Sequence, residues 1–183
     1  MKVPIKVAPD IALKDLELTD RDELFALVDA NRTYLRKWLP WLDYNRSPSD
    51  IETFLQSTIE QRENGEGLQY GVLYQNRLCG VCGFHKIDRL EAVGTLGYWL
   101  SEDCSGRGIM TRAVERLVAI GFKDLDLKKI EIRCAVDNHK SRAIPERLGF
   151  CEEWIRPEAE YLYGHYVDHA IYSMLAEESE KEF

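Results

Sequence analysis

The order of strand-like runs, turn signals and helical stripes predicts an α/β (α+β) domain built on a mixed, mostly antiparallel sheet flanked by helices. Three observations carry that prediction. Segments 68–74, 77–87 and 92–100 read as consecutive strands, and Gln75-Asn76 is short enough to close a hairpin. The stretch 106–125 places Met110, Ala113, Val114, Leu117, Val118 and Gly121 on one apolar stripe, as a helix packed on a sheet requires. Segment 129–136 is β-branched, so 92–136 forms one strand-helix-strand crossover, which is parallel and right-handed.

The remaining elements follow in order. Segment 11–18 alternates as a strand. Thr19-Asp20 supplies a helix start, and Leu24, Phe25, Leu27 and Val28 keep helical spacing. A short helix carries Tyr34, Leu35 and Trp38, and Pro40 stops it. Ser47-Pro48-Ser49-Asp50 opens another, with Ile51, Phe54, Leu55 and Ile59 on its apolar side, ending before Gly65 and Gly67. Segment 141–148 is a short helix ended by Gly149. Segments 150–162 and 165–175 close the fold as an antiparallel pair turned at Tyr163-Gly164. The order β-α-α-β-β-β-α-β-α-β-β gives seven strands, and the charged tail 177–183 is expected to fray.

A chain of 183 residues, 45% hydrophobic and 31% charged, forms one domain (1–183) whose core needs no disulfide or metal. A net charge of −8 disfavours general nucleic-acid binding and suits an amine or basic acceptor. Five cysteines, an odd number, are expected as free thiols in a reducing compartment. Cys79 and Cys82, three apart on a strand, are expected on opposite faces, which leaves no shared metal site. No apolar run spans a membrane and the first residues lack a secretory stretch, so a cytoplasmic location is expected.

Residues Gly97 to Met110 run from strand through a glycine-rich turn into a helix. Backbone N–H groups at a helix start carry partial positive charge, and Gly106 and Gly108 let a bulky anion approach them. Arg107 and Arg112 add local charge. The pattern is neither a Walker loop nor a dinucleotide fingerprint. On local pattern alone, a diphosphate cradle and a plain loop-to-helix joint both remain open.

Three further stretches narrow the choice: Asn31 to Asp43, containing Leu35-Arg36-Lys37-Trp38-Leu39-Pro40-Trp41; Val136 to Phe150, containing Asn138, Ser141 and Gly149-Phe150; and Glu160 to Asp168. Together with Gly97-Tyr98-Trp99-Leu100 and the turn, these make residues 11–175 resemble the GNAT superfamily of acetyl-CoA-dependent N-acetyltransferases. Within it the chain is similar to the RimJ/RimL-like ribosomal-protein N-terminal acetyltransferases.

The resemblance implies a GNAT-like seven-stranded sheet with a splayed central parallel pair. It implies acetyl-CoA as co-substrate, held by Trp99, Leu100, Ser101, Ser105, Gly106, Arg107, Gly108, Ile109, Met110, Thr111, Asn138, Ser141 and Arg142. Ser105 and Met110 depart from the family's usual loop residues, so grip is expected from backbone N–H groups. Pro145 stands where many relatives have the tyrosine that protonates the departing thiolate.

Acetyl transfer to an amine needs a base, oxyanion donors and a proton or hydrogen bond for the leaving thiolate. The resemblance assigns the oxyanion donor to the backbone N–H near Leu100 and the base to Glu160. Ser141 takes the thiolate role, with a helix N-cap as its alternative; a solvated strand charge is the alternative for Glu160. Trp38 and Trp41 wall the acceptor site or plug the core. His139 and His165 are lesser base candidates. His165 and His169, four apart on a strand and so about 13 Å apart, make no metal pair. The expected acceptor is a protein N-terminus; a small amine (polyamine, amino acid or aminoglycoside) and a non-catalytic acyl-CoA sensor are the alternatives. A homodimer or higher homo-oligomer is expected.

Overall fold

The computed structural model describes residues 3–179. One eight-stranded sheet runs in the order β1-β2-β3-β4-β5-β6-β8-β7. Its strands are β1 (Ile5–Ala8), β2 (Ile11–Asp15), β3 (Leu68–Tyr74), β4 (Arg77–Asp88), β5 (Val93–Leu100), β6 (Lys129–Ala135), β7 (Cys151–Leu162) and β8 (His165–Leu175). The expected count was seven. The eighth strand, β1, pairs antiparallel with β2, and its four residues are too short to show an alternating pattern. The helices are α1 (Arg21–Ala30), α2 (Arg32–Leu35), α3 (Pro48–Asn64), α4 (Ile109–Lys123), α5 (His139–Arg147) and the single turn α6 (Ala176–Ser179). The tail expected to fray thus begins inside α6, and residues 180–183 lie outside the described part.

Helices cover both sheet faces. On one, the stripe Met110, Ala113, Val114, Leu117 and Val118 of α4 packs with Phe84, Leu96, Ile130 and Ile132. On the other, Leu24 and Val28 of α1 and Ile51 and Leu55 of α3 pack with Leu78 and Val81. A reciprocal capping box between Ser47 and Asp50 fixes the start of α3, with Pro48 in its first turn.

Cys79 and Cys82 both lie in the α4-side core, not on opposite faces as their spacing predicts. Val72 pairs with Gly80 and Leu73 with Leu78, so Cys79 is the extra residue of a bulge. One inserted residue reverses the alternation beyond it.

The feature that positions the site is the sole parallel pair of this sheet. β5 and β6 are in register over only four residues each, Val93 to Leu96 against Lys129 to Ile132. Beyond them β5 stays with β4 as far as Leu100, while β6 stays with β8 as far as Ala135. The two strands diverge, and a slot opens between Gly97–Leu100 and Arg133–Ala135.

Candidate active site

The glycine turn leads directly into α4. Gly106 (φ +77°) and Gly108 (φ +70°) both adopt the left-handed backbone that side chains disfavour. A Cβ at either would meet nothing within 4 Å, so the glycines serve the path of the chain and the space above them is open. Gly108 caps α4 with no side-chain bond, so the first N–H groups of the helix have no capping side chain. Ile109 and Met110 send their side chains into the core, leaving only backbone for a ligand. The Arg107 guanidinium donates to the Asp103 carbonyl at 3.1 Å, and Arg112 donates to the carbonyls of Gly108 and Arg107 at 3.3 Å each. Both arginines therefore brace the turn while remaining at the surface. Ser101 is buried. The Ser105 hydroxyl faces the protein, donating to the Ser101 carbonyl at 3.2 Å and meeting the Tyr34 hydroxyl at 3.0 Å. Thr111 sits half-buried in the first turn of α4.

Backbone polarity along the slot follows from one bond. The Ser101 N–H donates to the Cys79 carbonyl at 2.8 Å. In an antiparallel ladder N–H direction alternates. Gly97 and Trp99 therefore also point toward β4, whereas the N–H groups of Tyr98 and Leu100 point into the slot. That is the direction an oxyanion donor at Leu100 requires.

On the opposite wall Asn138 caps α5, its side chain accepting the Ser141 N–H at 3.3 Å. The cap role thus falls to Asn138, and the Ser141 hydroxyl is free to face Cys134 Sγ at 3.2 Å. Pro145 lies inside α5 and brings no N–H to the Ser141 carbonyl. The Tyr98 hydroxyl donates to that carbonyl instead, at 2.9 Å. Burial holds the Tyr98 phenol well above its ordinary value of 10, so it stays a donor. The Arg142 guanidinium turns away, donating to Tyr172 Oη (2.9 Å), the Val136 carbonyl (2.9 Å) and Glu152 (2.8 Å).

A cavity of about 660 Å³ joins the slot to the α1/α3 side of the sheet. It brings together Tyr98, Trp99, Cys134, Asn138 and Ser141 with Trp38, Trp41 and Glu160. Trp41 and Trp99 approach to 6.1 Å between ring centroids at 58°. The loop carrying Trp41 is tied down: Arg36 forms two 2.9 Å bonds to Asp43, and Arg32 reaches the carbonyls of Leu42 (2.8 Å) and Asn45 (2.9 Å). His139 and His165 do not line the cavity; His85, Arg133, Arg156 and His169 do. Burial, with Arg133 and Lys86 nearby, lowers the His85 pKa, which keeps the ring neutral. Sequence reasoning missed these four and the two roles of Tyr98 and Cys134. Tyr98 stood in the quoted Gly-Tyr-Trp-Leu run, but nothing local tied it to α5. Among the described residues no group of three His, Cys, Asp or Glu is gathered for a metal.

Residues 10–151 match the family model described as an acetyltransferase (GNAT) domain. The Bacillus subtilis (strain 168) protein YdaF is 35% identical over 97% of this chain and 97% of its own. The ribosomal-protein-serine acetyltransferase of Escherichia coli (strain K12) is 28% identical over 96% of this chain and 98% of its own. Among solved structures, RimL, a ribosomal L7/L12 alpha-N-protein acetyltransferase in complex with coenzyme A, superposes with a TM-score of 0.92. It is 29% identical, covers 94% of this chain and 98% of its own, and carries a disulfide between the coenzyme and a cysteine.

Proposed function

Because the chain belongs to the acetyltransferase (GNAT) domain family, we propose that residues 1–183 act as one unit transferring acetyl from acetyl-CoA to the N-terminal α-amino group of a ribosomal protein. The observation that carries this reading is that one cavity joins the slot between β5 and β6 to the tryptophan-walled side that holds Glu160. A donor entering past the glycine turn and an acceptor entering past Trp38 and Trp41 meet there. Relatives named for ribosomal proteins, and one solved with coenzyme A, supply the acceptor class and the donor.

In this reading the uncapped start of α4, from Arg107 to Thr111, receives the pyrophosphate through backbone N–H groups. Trp99, Leu100 and Ser101 border the pantetheine arm, with Asn138 shaping the far wall. Ser105 and Arg142 act through the protein bonds that shape turn and helix. The coenzyme–cysteine bond of RimL directs attention to Cys134, the cysteine lining this cavity. A coenzyme sulfur beside Cys134 lies within reach of the Ser141 hydroxyl. Glu160 takes a proton from the acceptor ammonium, and the neutral amine attacks the thioester carbon. The Leu100 N–H stabilises the oxyanion. As the carbon–sulfur bond breaks, Ser141 donates a hydrogen bond to the leaving thiolate, which takes up the second proton of the attacking nitrogen and departs as the thiol.

We further read the protein as a cytoplasmic homodimer. β7 is an unpaired sheet edge with Trp154, Ile155, Tyr161 and nearby Tyr166 exposed, and among the described residues no helix is long and apolar enough to cross a membrane.

The test is coenzyme A release from acetyl-CoA with ribosomal-protein N-terminal peptides as acceptors. Turnover on peptides is expected. Glu160→Gln should cut kcat by about 100-fold or more with little change in acetyl-CoA affinity. Turnover confined to polyamines, amino acids or aminoglycosides would move the acceptor to a small amine. Tight binding without turnover on any amine would make the protein an acyl-CoA sensor.

A further inference from the structure

Glu160 owes its position to an irregularity in β7. Arg156 is registered against His169, but Glu160 is registered against Val167, so Pro157, Glu158 and Ala159 together oppose Asp168 alone. Two residues are thus added to β7 at this point. They slide Glu160 one repeat along β8, toward His169. Glu158 holds the detour with a left-handed backbone (φ +47°), uncommon for a residue with a side chain, and its N–H donates to Asp168 Oδ1 at 2.8 Å. Val167 and His169 share one face of β8, so His169 becomes the diagonal neighbour of Glu160. The result is a contact of 3.3 Å between His169 Nε2 and Glu160 Oε2, with both side chains lining the cavity. They keep only 16% and 29% of their side-chain surface exposed, respectively.

We propose that His169 is a positioning residue for Glu160, and that the two operate as one carboxylate–imidazole pair. This rests on the reading of Glu160 as the base. With Nε2–H donated to Oε2, the carboxylate is held in one orientation and Oε1 remains for the acceptor ammonium. The proton taken from the ammonium settles on Oε1 and leaves from there to solvent, while the Nε2–H stays on Oε2. No atom is gained or lost, and the pair returns to its starting charge.

The charged groups lining the cavity around the pair are Arg156 on β7 and Arg133 on β6, and its other titratable groups are His85 on β4, Tyr98 on β5 and Cys134 on β6. Asp168 lies on the other face of β8 by alternation and is committed to Glu158.

The decisive variant is His169→Ala, which removes the N–H donor, beside His169→Gln, which keeps one. For His169→Ala, kcat with an N-terminal peptide is expected to fall on the order of tenfold, as for loss of an orienting hydrogen-bond partner, with acetyl-CoA affinity and Tm unchanged. His169→Gln should recover most of that loss. A His169→Ala variant with the parent's kcat, or a His169→Gln variant as slow as His169→Ala, overturns the proposal while leaving Glu160 as base. A Glu160→Gln variant of full activity sinks both.

Discussion

At the scale of single residues, the exchange between Tyr98 and Pro145 shows how a broken rule is repaired at a distance. Proline inside a helix deletes one N–H and leaves a carbonyl without its partner. Here that carbonyl belongs to Ser141, and it accepts from a tyrosine 43 positions away in sequence. Replacing Tyr98 with phenylalanine should lower stability by about 1–3 kcal/mol, the cost of an unsatisfied buried acceptor. An alanine at 145 restores a helical N–H, so Pro145→Ala should recover much of the loss in the Tyr98→Phe background. Urea unfolding of the four proteins reads the coupling; additive effects would show that hydroxyl and imino acid are independent. The sequence displayed Pro145 as an anomaly, and the resemblance showed which tyrosine it displaced. The compensating donor was invisible because it comes from the far side of the slot, and only the divergence of β5 from β6 brings it there.

At the scale of elements, the β7–β8 hairpin reaches across to the loop that carries Trp41. Tyr163 (φ +47°) and Gly164 (φ +100°) form its turn, which the sequence announces plainly. The Tyr163 hydroxyl donates to the Leu39 carbonyl and accepts the Leu42 N–H at 3.2 Å. The Arg36 guanidinium sits 3.7 Å over its ring. One side chain thereby fixes both ends of the stretch that carries Pro40 and Trp41. Tyr163→Phe keeps the ring but frees the loop. The expected result is an acceptor KM raised several-fold with acetyl-CoA affinity unchanged, as steady-state kinetics against each substrate will show. Equal changes for both substrates would point to general loosening. The same hairpin marks where sequence reading ran short. Turn and strands were legible, but the bulge at residues 157–159 was not, like that at Cys79 in β4, since an inserted residue shows only against the partner's register.

At the scale of the whole molecule, the sheet separates two cores and opens between them at one place. The arrangement was legible because its causes are local: a helical stripe in α4, a β-branched β6 and short joints between β3, β4 and β5. The open place follows from how few rungs join β5 to β6, a property of pairing that no single segment announces. It has a dynamic consequence. Tyr98 and Leu100 carry amides that no neighbouring strand shields, whereas the alternating direction of the ladder commits Gly97 and Trp99 to β4. Hydrogen–deuterium exchange should therefore run fast, slow, fast, slow from Leu100 back to Gly97 in the free enzyme. If the amides of the pantetheine arm bind as a stand-in for the next strand, acetyl-CoA will slow residues 98 and 100 and leave 97 and 99 as they were. Uniform slowing would instead report a general tightening of the fold.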